Sequence, residues 1–202
     1  MKIIFSAFFI FLILTNAFPQ SNTMYTLEEL KSKGKDNAIQ LALNLIKEKQ
    51  PSLNISIQDF EIKVLANSKE ILVQFRRIIR FVPLQIQKQQ HVKYDITVDL
   101  IHNTISPFDD IIDSIFYVPT NSDLDAINFL QKKFGKEFSN FEVTILEEEN
   151  NYLIHLENQH SYGIYTINKI TGEKESSLES SYLIETRTNI ASETDSFVEL
   201  KD

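Results

Sequence analysis

The sequence predicts an α+β protein built from two tandem units, each a helix followed by an antiparallel sheet. Two segments, one after Gly34 and one from Ser122 onward, carry apolar residues at the spacing of an amphipathic helix. The segments that follow them alternate apolar and polar residues, which is the pattern of strands with one buried face. These strand segments also resemble one another and occur in the same order after both helices.

The first main helix is predicted over residues 36–50, since the next residue is a proline that cannot continue a helix. Upstream, Thr26 and Glu29 have the spacing of a capping box and predict a short helix that Gly34 interrupts. The second main helix is predicted over residues 122–134. The predicted buried stripes are Ala38, Leu41, Ala42, Leu45 and Ile46 in the first helix and Leu124, Ile127, Leu130 and Phe134 in the second.

Strands are predicted at residues 60–65, 71–81 and 92–100, where apolar residues recur at every second position. Ser106 followed by Pro107 has the pattern of a helix start and predicts a short helix that Pro119 ends. We interpret Asp109, Asp110 and Asp113 as acidic residues of that helix, because no glycine-bearing calcium loop follows them.

The strand segments indicate an internal duplication. Residues 60–65 (FEIKVL) resemble residues 141–146 (FEVTIL), and residues 71–75 align with 152–156 without a gap. Residues 98–103 and 167–172 then resemble one another as a strand that runs into a turn. The alternative is that two unrelated α+β segments share alternating hydrophobic residues.

On this basis the chain is divided into four parts. Residues 1–17 form a signal peptide, residues 26–118 the first unit and residues 119–184 the second. The short apolar run at 182–184 could form a last strand. Residues 185–202 are a polar C-terminal tail that we expect to be loose.

The N-terminus has the pattern of a secretory signal. Lys2 precedes an apolar run at residues 3–14, which is shorter than the roughly 20 residues that span a bilayer, and small residues end at Ala17. We predict cleavage after Ala17, with later sites near Ser21 and an uncleaved anchor as the alternatives. The protein is therefore expected to be exported and to be periplasmic or secreted. Its lack of cysteine excludes disulfides, thiol catalysis and thiolate metal sites.

Charge and motifs exclude several function classes. The net charge of −8 does not suit nucleic acid or an anionic membrane surface. The four glycines lie too far apart for a phosphate-binding loop or a nucleophile elbow. The four histidines lack the spacing of a paired metal site, and no motif places a nucleophile beside them. We therefore expect no enzymatic activity, no cofactor and no metal.

A specific resemblance comes from residues 162–173 (YGIYTINKITGE), which follow a helix containing the pair Ala126-Ile127. A helix with such a pair and a sheet with this last strand and turn resemble the PepSY-type repeat, a cystatin-like α+β module of exported bacterial proteins. Asn168 stands where that family usually has an acid, and Thr171-Gly172 is retained. The turn at His102-Asn103 in the first unit departs further. The resemblance implies two copies of a protein-binding module, of the peptidase-inhibitor or chaperone kind, and implies no catalytic residues.

Six residues are candidates for binding. Arg76, Arg77 and Arg80 form a dense arginine group and could clamp an anion or carboxylate. Alternatively, Arg76 and Arg80 form cross-strand ion pairs with Asp95 and Asp99, while Arg77 extends to solvent from the sheet edge. The remaining candidates are His155, Tyr162 and Tyr165, which would line a pocket or a sheet face.

The leading hypothesis is an exported, non-enzymatic protein that binds a protein or peptide through a sheet face or an exposed strand edge. One alternative is a small-ligand carrier or enzyme with its site between helix and curved sheet, in a pocket lined by Tyr and Phe with His155 or Arg77 inside. Another is a structural accessory subunit of an envelope complex.

Overall fold

The computed structural model describes residues 25–88, 91–110, 114–181 and 196–200. Within them the protein is a mixed α+β structure with mostly antiparallel sheets, as predicted. The helices are α1 (Leu27–Ser32), α2 (Gly34–Lys49) and α3 (Asn121–Phe134), with a 3₁₀ turn at Ile57–Asp59. The strands are β1 (Phe60–Ala66), β2 (Ile71–Arg77), β3 (Ile79–Val82), β4 (Val92–Lys93), β5 (Ile96–Asp99), β6 (Thr104–Ser106), β7 (Ile115–Phe116), β8 (Glu142–Glu147), β9 (Asn151–Glu157), β10 (Ser161–Asn168), β11 (Lys174–Ser181) and β12 (Val198–Glu199).

The strands form two five-stranded sheets and one short pair. The first sheet has the order β12-β1-β2-β5-β6 and is antiparallel throughout. The second sheet has the order β11-β10-β9-β8-β3, with β3 parallel to β8 and the other strands antiparallel. Strands β4 and β7 pair in parallel as a separate two-stranded sheet.

One stretch of chain contributes a strand to each sheet. The apolar positions keep one phase from Ile71 to Phe81 except at Arg77, and the strand breaks at the next residue, Ile78, whose side chain is 46% exposed. The backbone N–H of Ile78 donates to the carbonyl oxygen of Asp59 at 3.0 Å. Before the break β2 lies in the middle of the first sheet, and after it β3 lies at the edge of the second. The two sheets are therefore joined by adjacent strands of one segment.

Each sheet has its own hydrophobic core. In the first, α2 packs through Ala38, Ala42 and Ile46 on the inner face of the sheet, as its predicted stripe indicates. In the second, α3 contributes Ala126 and Leu130, and β3 contributes Phe81. The other buried residues are Leu30, Phe60, Val64, Ala66, Ile71, Val73, Phe75, Ile96, Val98, Ile105 and Phe116 in the first core and Tyr117, Phe138, Val143, Ile145, Ile154, Leu156, Tyr165 and Ile167 in the second.

The predictions of α1, α2 and α3 are confirmed, with one difference in the buried face of α3. Helices α2 and α3 lie where the apolar periodicity places them, and Thr26 and Glu29 form the predicted capping box of α1. In α3, however, Leu124 is 42% exposed, while Asp123 is buried. The carboxylate of Asp123 accepts hydrogen bonds from the backbone N–H of the N-cap residue Thr120 and from the hydroxyl of Tyr117. Because both bonds compensate its charge, Asp123 can be buried at this position of the helix.

The two aligned hairpins have the same register. Ile62 faces Phe75 in the β1–β2 pair, and the aligned residues Val143 and Leu156 face each other in the β8–β9 pair. The turns after the third strands also agree. Asn103 and Gly172, which the sequence aligns, both adopt a positive φ, of 54° and 65°.

The third strands are placed differently in the two sheets. Val73 faces Val98 in the first sheet, whereas the residue aligned with Val73, Ile154, faces Tyr165 rather than Ile167 in the second. A slide of two residues keeps the same side chains on the inner face, because side chains alternate with a period of two.

Two further predictions differ from the structure. The run at 92–100 divides into β4 and β5, and the helix start predicted at Ser106 is the end of strand β6 instead. Residues 107–110 form a turn after it. In this turn the carboxylate of Asp109 accepts a hydrogen bond from the backbone N–H of Ile105 and forms an ion pair with Lys49. The carboxylate of Asp109 therefore stabilises this turn and not, as the sequence predicts, the first turn of a helix.

The C-terminal tail is not loose over its described part. Val198 and Glu199 pair with β1, and Leu200 packs on the first core. The predicted run at 182–184 lies outside the described residues, and the last strand of the second sheet is β11, which precedes it. Among the described residues, none of the helices is long and apolar enough to cross a membrane.

The first prediction tests the strand that changes sheets. Phe81 is fully buried in the second core but belongs to the segment that continues β2. Phe81→Ala should lower the free energy of unfolding by about 3–5 kcal/mol, since it leaves a cavity in that core. Urea unfolding followed by circular dichroism measures this. The control Ile78→Ala changes an exposed side chain of the same segment and should stay within about 0.5 kcal/mol; an equal loss in both variants would contradict the assignment.

Candidate binding site on the second sheet

The edge of the second sheet is formed by β11, a strand of eight residues that are all exposed. It pairs with β10 on one side, and no strand within the described part of the chain pairs with its other side. In an antiparallel edge strand, the backbone groups on the unpaired side point outward in alternation. The strand therefore offers N–H and C=O groups to a partner strand.

The sequence of β11, KESSLESS, explains why no strand was predicted there. Strand prediction rests on alternating apolar residues, and Leu178 is the only apolar residue in this segment. Pairing with β10 places Leu178 opposite Ile164 and Glu179 opposite Gly163. Tertiary pairing, rather than the strand's own composition, thus makes it a strand.

A groove of about 390 Å³ lies at the end of β11. We call it the edge groove; it is lined by Phe141, Leu156, Ser161, Tyr162, Gly163, Tyr165, Glu179, Ser180 and Ser181. Its residues come from the start of β10, the end of β11, β9 and the segment before β8. The groove is therefore continuous with the exposed strand edge.

Gly163 and Tyr165 shape the groove together. A Cβ atom at Gly163 would lie 3.3 Å from the ring of Tyr165, so the phenol ring packs over the glycine. A larger residue at 163 would force the ring to shift. The glycine thus lets the ring of Tyr165 lie along the sheet beneath the groove.

Contacts from β11 hold the ring of Tyr165 in place. Its hydroxyl donates to Oε1 of Glu179 at 2.7 Å, and Nζ of Lys174 lies 3.8 Å from the ring centroid. Burial and the hydrogen bond to Glu179 raise the pKa of Tyr165 to about 12. The groove therefore combines a neutral phenol with one carboxylate, a set that suits apolar and cationic side chains.

Of the six predicted binding residues, the structure brings two together in the edge groove, Tyr162 and Tyr165. His155 lies in the middle of β9 on the opposite face of the sheet, where its neighbours across the strands are Thr144 and Ile164. Its Nε2 atom is buried and has no hydrogen-bond partner within the described residues. It does not line the groove.

The three arginines lie where β2 continues into β3. Arg80 forms an ion pair with Asp95 at 2.7 Å, as predicted. Arg76 pairs instead with Glu142 of β8, which links the two sheets. Asp99, the other predicted partner, contacts His102 at 2.6 Å.

Arg77 differs from the prediction that it extends to solvent. Its guanidinium lies 4.7 Å from the ring centroid of Phe60 and 5.7 Å from that of Phe116. Its Nε atom is buried and makes no hydrogen bond to any described residue. Burial lowers the pKa of Arg77, which the charges of Asp59 and Asp95 partly oppose. The side chain thus packs through its planar face on aromatic rings.

Seven of the nine residues that line the groove were not predicted as binding residues from the sequence. Phe141 and Gly163 belong to segments that read as ordinary strand and turn residues, and Glu179 belongs to a segment that was not predicted as a strand. Tyr162 and Tyr165 were the one sequence signal that indicated the edge groove.

No family model matches the chain, and no curated protein or solved structure matches it either.

The second prediction concerns Arg77. Arg77→Leu should leave the free energy of unfolding within about 1 kcal/mol of wild type or raise it, because it removes a partly buried charge from an aromatic environment. Arg80→Leu is the matched control and should lower it by up to about 1 kcal/mol, because it breaks an ion pair. Urea unfolding compares the two, and a loss above about 2 kcal/mol for Arg77→Leu would show that its charge is required.

Proposed function

We propose that the protein is an exported, non-enzymatic module that binds a protein or peptide partner by adding an extended segment to β11. The observation that carries this proposal is the eight-residue exposed edge of β11 beside the edge groove. At about 3.4 Å per residue, such an edge pairs with roughly eight residues of a partner. Main-chain hydrogen bonds would supply affinity, and the groove would select one side chain.

The chemistry of the groove favours a lysine or arginine side chain in that position. Glu179 supplies the negative charge among the lining residues, beside the hydroxyl of the buried Tyr165. Lys174 already lies over the ring of Tyr165, which shows that an ammonium group fits against it. A cationic side chain of the partner would form an ion pair with the exposed carboxylate of Glu179.

The PepSY-like resemblance and the duplication support the same class of function. The two aligned hairpins share their register, and the aligned turns share a positive φ at Asn103 and Gly172. Both agree with two copies of a helix-plus-sheet module of cystatin-like type. Export rests on the N-terminal pattern of Lys2, an apolar run and Ala17, and places the protein in the periplasm or outside the cell.

The edge groove also bears on the small-ligand alternative. Its volume is near the lower limit of the roughly 300–1,000 Å³ that is usual for ligand pockets. It is lined by Tyr and Phe as that alternative requires, but neither His155 nor Arg77 lines it. The position of the groove at a strand edge favours an extended peptide. An accessory subunit of an envelope complex would use the same edge for one fixed partner.

The third prediction tests the edge and the groove together. Peptides of eight to ten residues are selected from a displayed random library and measured by fluorescence anisotropy. We expect a Lys or Arg at one fixed position, and we expect Glu179→Lys to weaken binding at least about tenfold through charge repulsion.

The matched control is Glu175→Lys, which makes the same charge change in β11 outside the groove. It should change the affinity less than about threefold, since Glu175 lies four residues from Glu179, away from the groove, and exposed charge pairs along a strand contribute little. A photocrosslinker at Ser180 should form an adduct with the peptide, and one at exposed Asn54 should not. Equal effects of the two glutamate variants, or adducts at Asn54 alone, would contradict the proposal.

A further inference from the structure

Three side chains with metal-binding atoms meet at one end of the first sheet. Asp99 is the last residue of β5, His102 lies in the turn after it, and Glu70 directly precedes β2. One donor atom from each of them lies within 4.8 Å of the others. The sequence did not indicate this cluster, because Glu70 is remote in the chain and only the pairing of β2 with β5 brings it close.

The carboxylate of Asp99 is already held in one orientation. Its Oδ1 atom accepts the backbone N–H groups of Ile101 at 2.9 Å and of His102 at 3.1 Å. Its Oδ2 atom is then directed at Nδ1 of His102, 2.6 Å away. Asp99 therefore presents an oxygen with a fixed direction to the cluster, which lowers the entropic cost of binding an ion there.

The turn itself does not need this set of residues. In the second unit, Oδ1 of Asn168 accepts the N–H groups of Ile170 at 2.9 Å and Thr171 at 3.0 Å, the same two bonds in the aligned turn. An uncharged amide therefore builds the turn, and a threonine takes the place of His102. The charge of Asp99 and the imidazole of His102 are additional to what the turn requires.

We propose that Glu70, Asp99 and His102 bind a divalent transition-metal ion of the Zn²⁺ type, with water completing its coordination. Imidazole with carboxylates suits Zn²⁺ and related ions, whereas Ca²⁺ and Mg²⁺ prefer oxygen ligands alone. Three protein ligands with an open position form the pattern of an accessible zinc site.

Only a small adjustment is needed for Asp99 and His102 to share one ion, and a donor atom of Glu70 lies within 4.8 Å of both. Zinc–ligand bonds of about 2.0–2.2 Å in tetrahedral geometry place two ligand atoms roughly 3.3 Å apart. Oδ2 of Asp99 and Nδ1 of His102 are 2.6 Å apart as a hydrogen-bonded pair and must separate slightly. The side chain of His102 is 58% exposed and is therefore free to rotate by that amount. The proton it shares with Asp99 leaves when the metal binds.

The fourth prediction tests the site by calorimetric titration of the purified, tag-free protein with ZnCl₂, and with MgCl₂ as the comparison ion. We expect one equivalent of Zn²⁺ to bind and Mg²⁺ not to compete. Asp99→Asn keeps the amide oxygen that serves the aligned turn, so the protein should fold while its zinc affinity falls at least about tenfold. His102→Gln, which changes a mostly exposed side chain, should have the same effect.

The control is His160→Ala, which removes another exposed histidine, in the turn between β9 and β10. It should leave zinc affinity unchanged. Zinc should also raise the melting temperature of the wild-type protein and of His160→Ala, but not of Asp99→Asn. No zinc binding up to about 1 mM, or equal affinity in wild type and Asp99→Asn, would overturn the proposal. Because the cluster lies on the first sheet, this result is independent of peptide binding at β11.

Discussion

The structure depends on one segment that changes sheets. In the first sheet, β2 lies between β1 and β5 and buries Val73 and Phe75 in the first core. Four residues after Arg77, Phe81 is buried in the second core. The parallel pairing of β3 with β8 is a contact between parts of the chain that are distant in sequence. Two cores that could otherwise form separately are therefore tied by a short, nearly continuous piece of backbone.

Polar contacts lie on both sides of the point where the segment passes from one sheet to the other. Arg76 pairs with Glu142 and Arg80 with Asp95, and the backbone N–H of Arg77 donates to Asp95 at 3.0 Å. Exposed ion pairs of this kind contribute little free energy individually. Their geometry is specific, however, and they lie on both sides of the break at Ile78. The dense arginine group of the sequence thus makes intramolecular contacts where the two sheets meet.

Helices and hairpins were predictable because their signals are local. The helical spacing of apolar residues predicted α2 and α3, and the alternation of apolar and polar residues predicted the two aligned hairpins, which share their register. The crossing was not predicted, because the apolar residues on either side of it, Phe75 and Ile79, keep the same phase, and the inversion at Arg77 and Ile78 was the one local sign of a break. Strand β11 and the edge groove were missed for a related reason. A polar segment becomes a strand only through pairing with β10, and the glycine under Tyr165 has no sequence signal of its own.

If the crossing makes the two sheets one cooperative unit, native-state hydrogen exchange should detect their joint unfolding. Val64→Ala removes buried atoms from the first core only. If the sheets unfold together, the exchange free energies of the slowest amides in β9 and β10 should fall by the same amount as those in β1 and β2. Unchanged protection in β9 and β10, with a loss confined to the first sheet, would contradict the account.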